Sequence, residues 1–207
     1  MRSLLISLFI LSFLPSQAQH KKLRLPLWTF HQSNVNIYGI GLGWLPIYET
    51  VNTTTNGLRL EAPGPGLFIA FMPHAPWDTA FVSPKPIPAD SLPEKVNGIN
   101  LSALGSMTYR VNGISLGLIG QVNTRVNGIS FSAINVTEKH NGIQLGVVSI
   151  TKNMCGIQLS FNAISDQVRG VQIGLLTSSS NTRGLQFGLW NVNEKRKLPI
   201  LNWNFRS

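Results

Sequence analysis

Apolar and polar residues alternate in short runs that recur through the C-terminal half of the chain. Each run follows a glycine, and successive glycines stand 14 or 15 residues apart: Gly98, Gly113, Gly128, Gly142, Gly156, Gly170 and Gly184. The first and third residues after each glycine are apolar, the second is Asn, Ser or Gln, and the fourth is Ser or Gly. Alternation with a period of two is typical of a β-strand with one buried face. Each repeat is therefore predicted to contribute a strand.

The segments between these strands favour tight turns. Four of the repeat glycines follow an asparagine, at Asn97, Asn112, Asn127 and Asn141, and an Asn-Gly pair tolerates positive φ at low cost. The remaining residues of each repeat are mostly polar. Because one repeat is too short to bury its own apolar side chains, neighbouring repeats are expected to stack.

Two all-β architectures satisfy this pattern. The first is a repeat protein, a parallel β-solenoid or β-roll of 14–15-residue repeats, in which the Ile and Leu columns form a continuous core. In this arrangement four glutamines would form a ladder: Gln144, Gln158, Gln172 and Gln186. The alternative is a small antiparallel β-barrel in the outer membrane, with Ile and Leu facing lipid and with Gln and Gly facing the lumen. Equivalence of all the repeats favours the solenoid, because alternate loops of a barrel lie on opposite sides of the membrane.

The N-terminal part of the chain is less regular. Residues 1–18 have the pattern of a secretory signal peptide, in which a positive charge at Arg2 precedes a short apolar run and a cleavage site of small residues. Residues 19–95 contain two degenerate repeats, at Gly39 and Gly57, and then an insertion that holds eight of the twelve prolines. Because proline donates no backbone hydrogen bond, the insertion is predicted to be a loop or hairpin that caps one end of the array.

The regular array covers residues 96–193, and residues 194–207 are predicted to form a C-terminal strand or cap. In that last segment large apolar residues alternate with asparagines: Leu201, Asn202, Trp203, Asn204 and Phe205. This alternation is again typical of a strand.

Positive charge follows the repeats. The formal net charge of the chain is +9, and seven cations stand shortly before the repeat glycines: Lys95, Arg110, Arg125, Lys139, Lys152, Arg169 and Arg183. If the repeats stack, these side chains line one edge as a basic ladder. Basic turns either keep sheet edges soluble and unpaired, or contact an anionic polysaccharide, lipopolysaccharide or lipid surface. Nucleic acid is not an expected partner, because aromatic residues do not interleave with the basic positions.

No residue pattern in the sequence points to catalysis or to a metal. Gly113 to Gly117 match the G-x-S-x-G motif of serine hydrolases, but no helix pattern follows, and Ser115 holds the polar position of its repeat. The four histidines lack metal-ligand spacing, and the eight acidic residues are scattered, so they are interpreted as isolated surface charges. Cys155 is the only cysteine, so no intramolecular disulfide is expected. The chain is therefore predicted to be non-enzymatic and without a cofactor.

The repeats resemble those of a known family. Three runs, Val111 to Gly117, His140 to Gly146 and Arg169 to Leu175, are similar to the "surface repeat" of exported proteins from Bacteroidetes and leptospires. The resemblance covers about residues 96 to 192. It implies an exported protein of a Gram-negative cell envelope, located in the outer membrane, on the cell surface or in the periplasm. The family has no established activity, so the resemblance transfers no catalytic residue.

The function expected from these features is structural or adhesive. A non-enzymatic envelope or surface protein would present its stacked repeats and would contact anionic polymers through its basic turns. The alternative function is that of an outer-membrane barrel or pore. The two differ in whether the Ile and Leu columns face protein or lipid.

Overall fold

The structure is a computed structural model, and it describes residues 21–44, 52–65 and 94–205. All regular secondary structure in these segments is β. The strands are β1 (Lys22–Arg24), β2 (Leu27–Thr29), β3 (Val35–Gly43), β4 (Thr54–Glu61), β5 (Lys95–Ser102), β6 (Met107–Gly117), β7 (Gly120–Ile173), β8 (Leu176–Val192) and β9 (Lys197–Asn204). Within the described segments no helix has the length and apolar character needed to cross a bilayer.

Neighbouring repeats run in the same direction. From β1 to β8 the paired strands are parallel, and β9 lies antiparallel on β8 at the C-terminal end. Equivalent residues face each other, since Gly98 pairs with Gly113 and Gly113 pairs with Gly128. The prediction of a parallel β-solenoid is confirmed. The antiparallel barrel is wrong, because it requires adjacent repeats to alternate in direction.

A glycine forms one corner of every coil. Nine glycines with positive φ mark nine coils: Gly39, Gly57, Gly98, Gly113, Gly128, Gly142, Gly156, Gly170 and Gly184. A Cβ atom on Gly142 would overlap the carbonyl oxygen of Gly128 one coil earlier, so a residue with a side chain does not fit this corner. The long strand β7 passes through four such corners without a break. Nine coils at a strand spacing of about 4.8 Å give a solenoid about 40 Å long.

The two degenerate repeats belong to the same solenoid as the regular array. Gly39 pairs with Gly57, and Gly57 pairs with Gly98, 41 positions further along the chain. The coil of Gly98 therefore stacks directly on the coil of Gly57, although the proline-rich insertion separates the two in sequence. The loop or hairpin predicted beyond Pro65 lies outside the described residues, as does the predicted signal peptide.

The interior is lined by the polar residue of each repeat. We call the second residues after the glycines the polar column, and all seven in the regular array are fully buried: Asn100, Ser115, Ser130, Gln144, Gln158, Gln172 and Gln186. The apolar residues beside them point outward, and Leu159, for example, is 46% exposed. The predicted core of Ile and Leu columns is therefore wrong. These side chains point away from the interior, as the barrel alternative had required.

The predicted glutamine ladder forms, but it forms inside the solenoid. Nε2 of Gln158 donates a hydrogen bond to Oε1 of Gln144 at 3.1 Å. Gln172 repeats this contact with Gln158 at 2.8 Å, and Gln186 repeats it with Gln172 at 2.8 Å. The hydroxyl of Ser165 also donates to Gln158, at 2.9 Å. Because the buried amides are hydrogen-bonded to one another, removing them from water costs far less than burying them alone.

The narrow cross-section of the coil explains this inversion. The fourth residue after each array glycine is Ser or Gly, and a Cβ atom on Gly146 would come within 2.6 Å of Nδ2 of Asn135. In the next coil the hydroxyls of Ser149 and Ser160 lie 2.5 Å apart. Large branched side chains therefore do not fit there and point outward. Before the corner, the interior instead holds what we call the valine column: Val96, Val111, Val126, His140, Met154 and Val168.

The two ends of the solenoid are closed differently. At the N-terminal end Phe30, Val35 and Ile37 form a small apolar cluster against which Trp28 packs. At the C-terminal end β9 places Asn202 opposite Gln186, fully buried, so that it extends the polar column.

Candidate docking surface

One wall of the solenoid carries a continuous apolar surface, which we call the apolar face. It consists of the first, third and fifth residues after the corner glycines. Its members include the following residues, which are between 38% and 69% exposed: Trp44, Leu101, Leu118, Ile129, Phe131, Val147, Leu159, Phe161, Leu175, Phe187 and Leu189. Together they present on the order of 1,000 Å² of apolar surface, which exceeds the largest patch on a typical soluble monomer.

The strand alternation places this face directly beside the corner. Side chains point inward in the valine column, two residues before the glycine, and in the polar column, two residues after it. Because successive side chains of a strand point to opposite faces, the residues immediately before and after the glycine both point outward. The corner glycine thus separates two outer walls.

The apolar face contains no charge. In the seven regular repeats, the six residues that follow each glycine include no Asp, Glu, Lys, Arg or His. The charged residues of the array are confined to the remainder of each coil. The circumference is therefore divided into an uncharged apolar part and a polar, charged part.

Exposed tryptophans stand at both ends of the apolar face. Trp44 lies in the first coil and is 67% exposed. At the other end Trp203 of β9 pairs with Leu185 of the face, and Trp190, the sixth residue after Gly184, is exposed in the same coil. The guanidinium of Arg196 lies over the ring of Trp203, 4.4 Å from its centroid. Tryptophan is enriched at surfaces where one end of its ring is apolar and the other is wet.

The seven cations predicted from the sequence come together along the other side of the corner. We call them the basic border: Lys95, Arg110, Arg125, Lys139, Lys152, Arg169 and Arg183. Arg110 pairs in register with Lys95 on one neighbouring strand and with Arg125 on the other. Arg169 pairs with Arg183. The predicted ladder is therefore divided into two rows: Lys95, Arg110 and Arg125 stand in register three residues before their glycines, as Lys139 does in sequence, whereas Arg169 and Arg183 stand directly before theirs. Lys152 stands four residues before its glycine and belongs to neither row.

The basic border runs alongside the apolar face and is not neutralised. Arg169 stands directly before Gly170, and Val171 of the apolar face stands directly after it, so their Cα atoms are at most about 7 Å apart. Across residues 21–44, 52–65 and 94–205, the ion pairs that form join Arg59 to Glu61 and to Glu94. No carboxylate in these segments therefore pairs with the border.

A buried charge cluster joins the coils on either side of the insertion. Nη1 of Arg59 donates to Glu61 at 2.6 Å and to Asn100 at 3.0 Å, and its Nε donates to Glu94 at 2.9 Å. The guanidinium also stacks on Phe30, 3.9 Å from the ring centroid. Burial raises the pKa of the Glu61 carboxyl, and the adjacent guanidinium opposes this shift. The interpretation of the acidic residues as isolated surface charges is wrong for Glu61 and Glu94, which neutralise a buried cation.

The residues considered for catalysis or metal binding lie apart from one another in the described segments. Ser115 is buried in the polar column, where it accepts a hydrogen bond from Asn100 at 3.0 Å. Burial in the valine column lowers the pKa of His140 to about 4. Cys155 is exposed. No group of three or more His, Cys, Asp or Glu side chains that could hold a metal ion occurs in this part of the chain.

Comparison with protein-family models, with curated proteins and with solved structures finds no match to the chain. The resemblance to the surface-repeat family stays a hypothesis. The apolar face and the basic border are thus the features from which a function can be argued.

Proposed function

We propose that this chain is a non-enzymatic repeat protein of a Gram-negative cell envelope, exported by its N-terminal signal, whose apolar face docks on a hydrophobic surface. The observation that carries the proposal is the charge-free apolar wall of about 1,000 Å². Exposed apolar patches of this size mark sites of association with proteins or membranes. The role is structural: a flat and repetitive wall that attaches the solenoid to its partner.

The outward residues are available for this role because other residues hold the coils together. The ladder hydrogen bonds of the polar column and the buried valine column lie inside the solenoid. Leu118 and Phe161 of the apolar face remain 69% and 61% exposed. Their size therefore adds little to the packing of the coil, and it creates a surface that water does not favour.

Replacement of exposed apolar residues by threonine tests the proposal. A variant with Leu118→Thr, Phe131→Thr and Phe161→Thr, made in the chain without residues 1–18, should keep its β-sheet circular dichroism, since threonine suits a strand. It should also stay monomeric without detergent. The unsubstituted chain should need detergent or bind a phenyl resin.

An interior substitution provides the matched control. Val126→Thr makes a similar change in the buried valine column, so it should lower the unfolding midpoint without improving solubility. A soluble, monomeric unsubstituted chain that does not bind the phenyl resin would show that the proposed function is wrong.

The register of the basic border supports a second function. Arg110 stands beside Lys95 and Arg125 at the strand spacing of about 4.8 Å, so the border offers a regular row of cations. We propose an adhesive contact between this border and an anionic polysaccharide or lipopolysaccharide. Replacing Arg110, Arg125 and Lys139 by Gln should remove most of the retention on beads that carry such polymers. Retention should also fall steeply with added salt, and salt-independent retention would contradict this role.

A further inference from the structure

We propose that the surface on which the apolar face docks is an anionic lipid leaflet, with the basic border at the level of the lipid phosphates. This inference rests on the proposed function, because it names the partner of the apolar face. The solenoid lies flat on the leaflet with its long axis parallel to the membrane.

The cross-section of each coil matches the profile of a membrane interface. Elements that lie in the interface carry a wide apolar side next to Lys and Arg residues. Here Val171 and Arg169 point outward on either side of Gly170. When the wall that contains Val171 enters the acyl region, Arg169 is held at the neighbouring headgroup level. The long side chains of Arg and Lys reach phosphates while their methylene stems lie along apolar surface.

The charge of the border favours lipid over a second copy of the chain. No acidic residue occurs among the six residues that follow each array glycine. The apolar face of a second copy therefore has no carboxylate that could pair with the basic border of the first. An anionic leaflet brings a phosphate to every cation. Each cation close to such a leaflet strengthens binding about fivefold.

The tryptophans support docking along the whole length of the solenoid. Trp44, the fifth residue after Gly39, and Trp203, which pairs with Leu185, belong to the apolar face at its two ends. Tryptophan concentrates at the interface between lipid and water. A solenoid that lies flat brings both residues to the interface, whereas one that stands on its end brings only one of them.

Two other occupants of the face are distinguishable from lipid. One is a second copy of the chain. The other is the segment 66–93 of the same chain, which follows the second coil in sequence and contains the apolar run Leu67 to Met72. The experiment therefore includes a variant in which a short Gly-Ser linker replaces residues 66–93.

The test measures binding of the chain without residues 1–18 to vesicles of phosphatidylcholine, with and without phosphatidylglycerol. Trp77→Phe confines the tryptophan signal to Trp28, Trp44, Trp190 and Trp203. The chain should float with the anionic vesicles, and added salt should weaken the binding. Lipids with brominated acyl chains should quench the fluorescence of Trp44 and Trp203, as single Trp→Phe variants identify.

Variants of the two halves of the surface make the test specific. Replacing Arg110, Arg125 and Arg169 by Gln should weaken binding to anionic vesicles about 100-fold, at about fivefold for each cation. Replacing the same residues by Lys keeps their charge and should retain binding. The variant with Leu118→Thr, Phe131→Thr and Phe161→Thr should lose both binding and quenching.

Each contrary outcome has a separate meaning. Equal binding to both vesicles, unaffected by the Arg→Gln changes, overturns the anionic leaflet and leaves the hydrophobic docking function standing. A dimer that ignores vesicles and dissociates in the threonine variant identifies a second copy as the occupant. Vesicle binding only after removal of residues 66–93 identifies that segment as the occupant, and retention on polysaccharide beads without vesicle binding identifies a polymer. A monomer that binds no vesicle, phenyl resin or bead overturns both the inference and the proposed function.

Discussion

The polar interior predicts that a glutamine matters more to stability than the leucine next to it. Gln158 is fully buried and makes four hydrogen bonds, with Gln144, Ser149, Ser165 and Gln172, at 2.8 to 3.1 Å. Gln158→Ala removes them all and leaves at least two buried polar atoms without this partner. Each of the four lost hydrogen bonds is worth about 0.5 to 1.5 kcal/mol net, so the free energy of unfolding should fall by about 3 kcal/mol or more.

The comparison is Leu159→Ala, since Leu159 is 46% exposed. Only about half of its side chain leaves water on folding, so its truncation should cost about 1 kcal/mol. For a chain of this size the expected losses correspond to midpoint shifts of about 6 to 12 °C for Gln158→Ala and about 2 to 4 °C for Leu159→Ala. Circular dichroism melts of both variants in one mild detergent measure the difference.

The ranking of the two variants decides which side of the strand is inside. A larger loss for Leu159→Ala would mean that the Ile and Leu columns form the core after all. Gln158→Met keeps the volume of the side chain and removes its hydrogen bonds. Recovery of the midpoint in this variant would attribute the loss to a cavity and contradict the role of the ladder.

Three further predictions address other parts of the solenoid. Burial lowers the pKa of His140 from 6.5 to about 4. The free energy of unfolding should therefore be unaffected by this group above pH 6.5, and it should fall by about 3 kcal/mol as the pH decreases from 6.5 towards 4. In His140→Val, the free energy of unfolding measured in urea should depend less on pH between pH 7 and pH 5. An unchanged pH dependence would show that His140 is not its source. Arg59→Met leaves two carboxylates beside the insertion without their cation, so the free energy of unfolding in urea should fall by about 3 to 5 kcal/mol. An unchanged free energy of unfolding would mean that the cluster is not buried in solution. Deleting residues 142–169 removes two coils in register, so an all-β chain about 10 Å shorter should remain in sedimentation and circular dichroism, while an unfolded product would argue against independent coils.

The period and the parallel stacking could be predicted from the sequence, but the direction of the side chains could not. Alternation separates the residues of a strand into two sets, and it does not say which set is inside. Ile and Leu are the usual core residues, so the pattern alone favours placing them in the interior. The contrary signal is the Ser or Gly at the fourth position, as at Gly146 and Ser160, which shows that the polar side has the smaller space.

Some of the charged contacts could be predicted from the sequence, and others could not. Stacking of neighbouring cations could be predicted because their spacing follows the repeat glycines, as the pairings of Arg110 with Arg125 and of Arg169 with Arg183 show. The division of the border into two rows follows from the different distances of these residues from their glycines. The buried cluster of Arg59 was missed because it lies in a degenerate repeat, and its partner Glu94 follows the insertion. Sequence separation hides that contact, and only the pairing of Gly57 with Gly98 brings the two coils together.

The pairing of Gly57 with Gly98 also makes the chain between these two coils a site where another sequence can be inserted. The coils on either side of the insertion stay in register because backbone hydrogen bonds hold the residues that flank it: Leu104 N donates to Pro63 O at 2.9 Å, and Lys95 N donates to Thr53 O at 2.9 Å. The coil therefore sets no length for the chain in between, and each doubling of a flexible loop costs only about 0.6 kcal/mol. A passenger domain whose termini lie close together can be displayed at this corner while the scaffold on either side keeps its register.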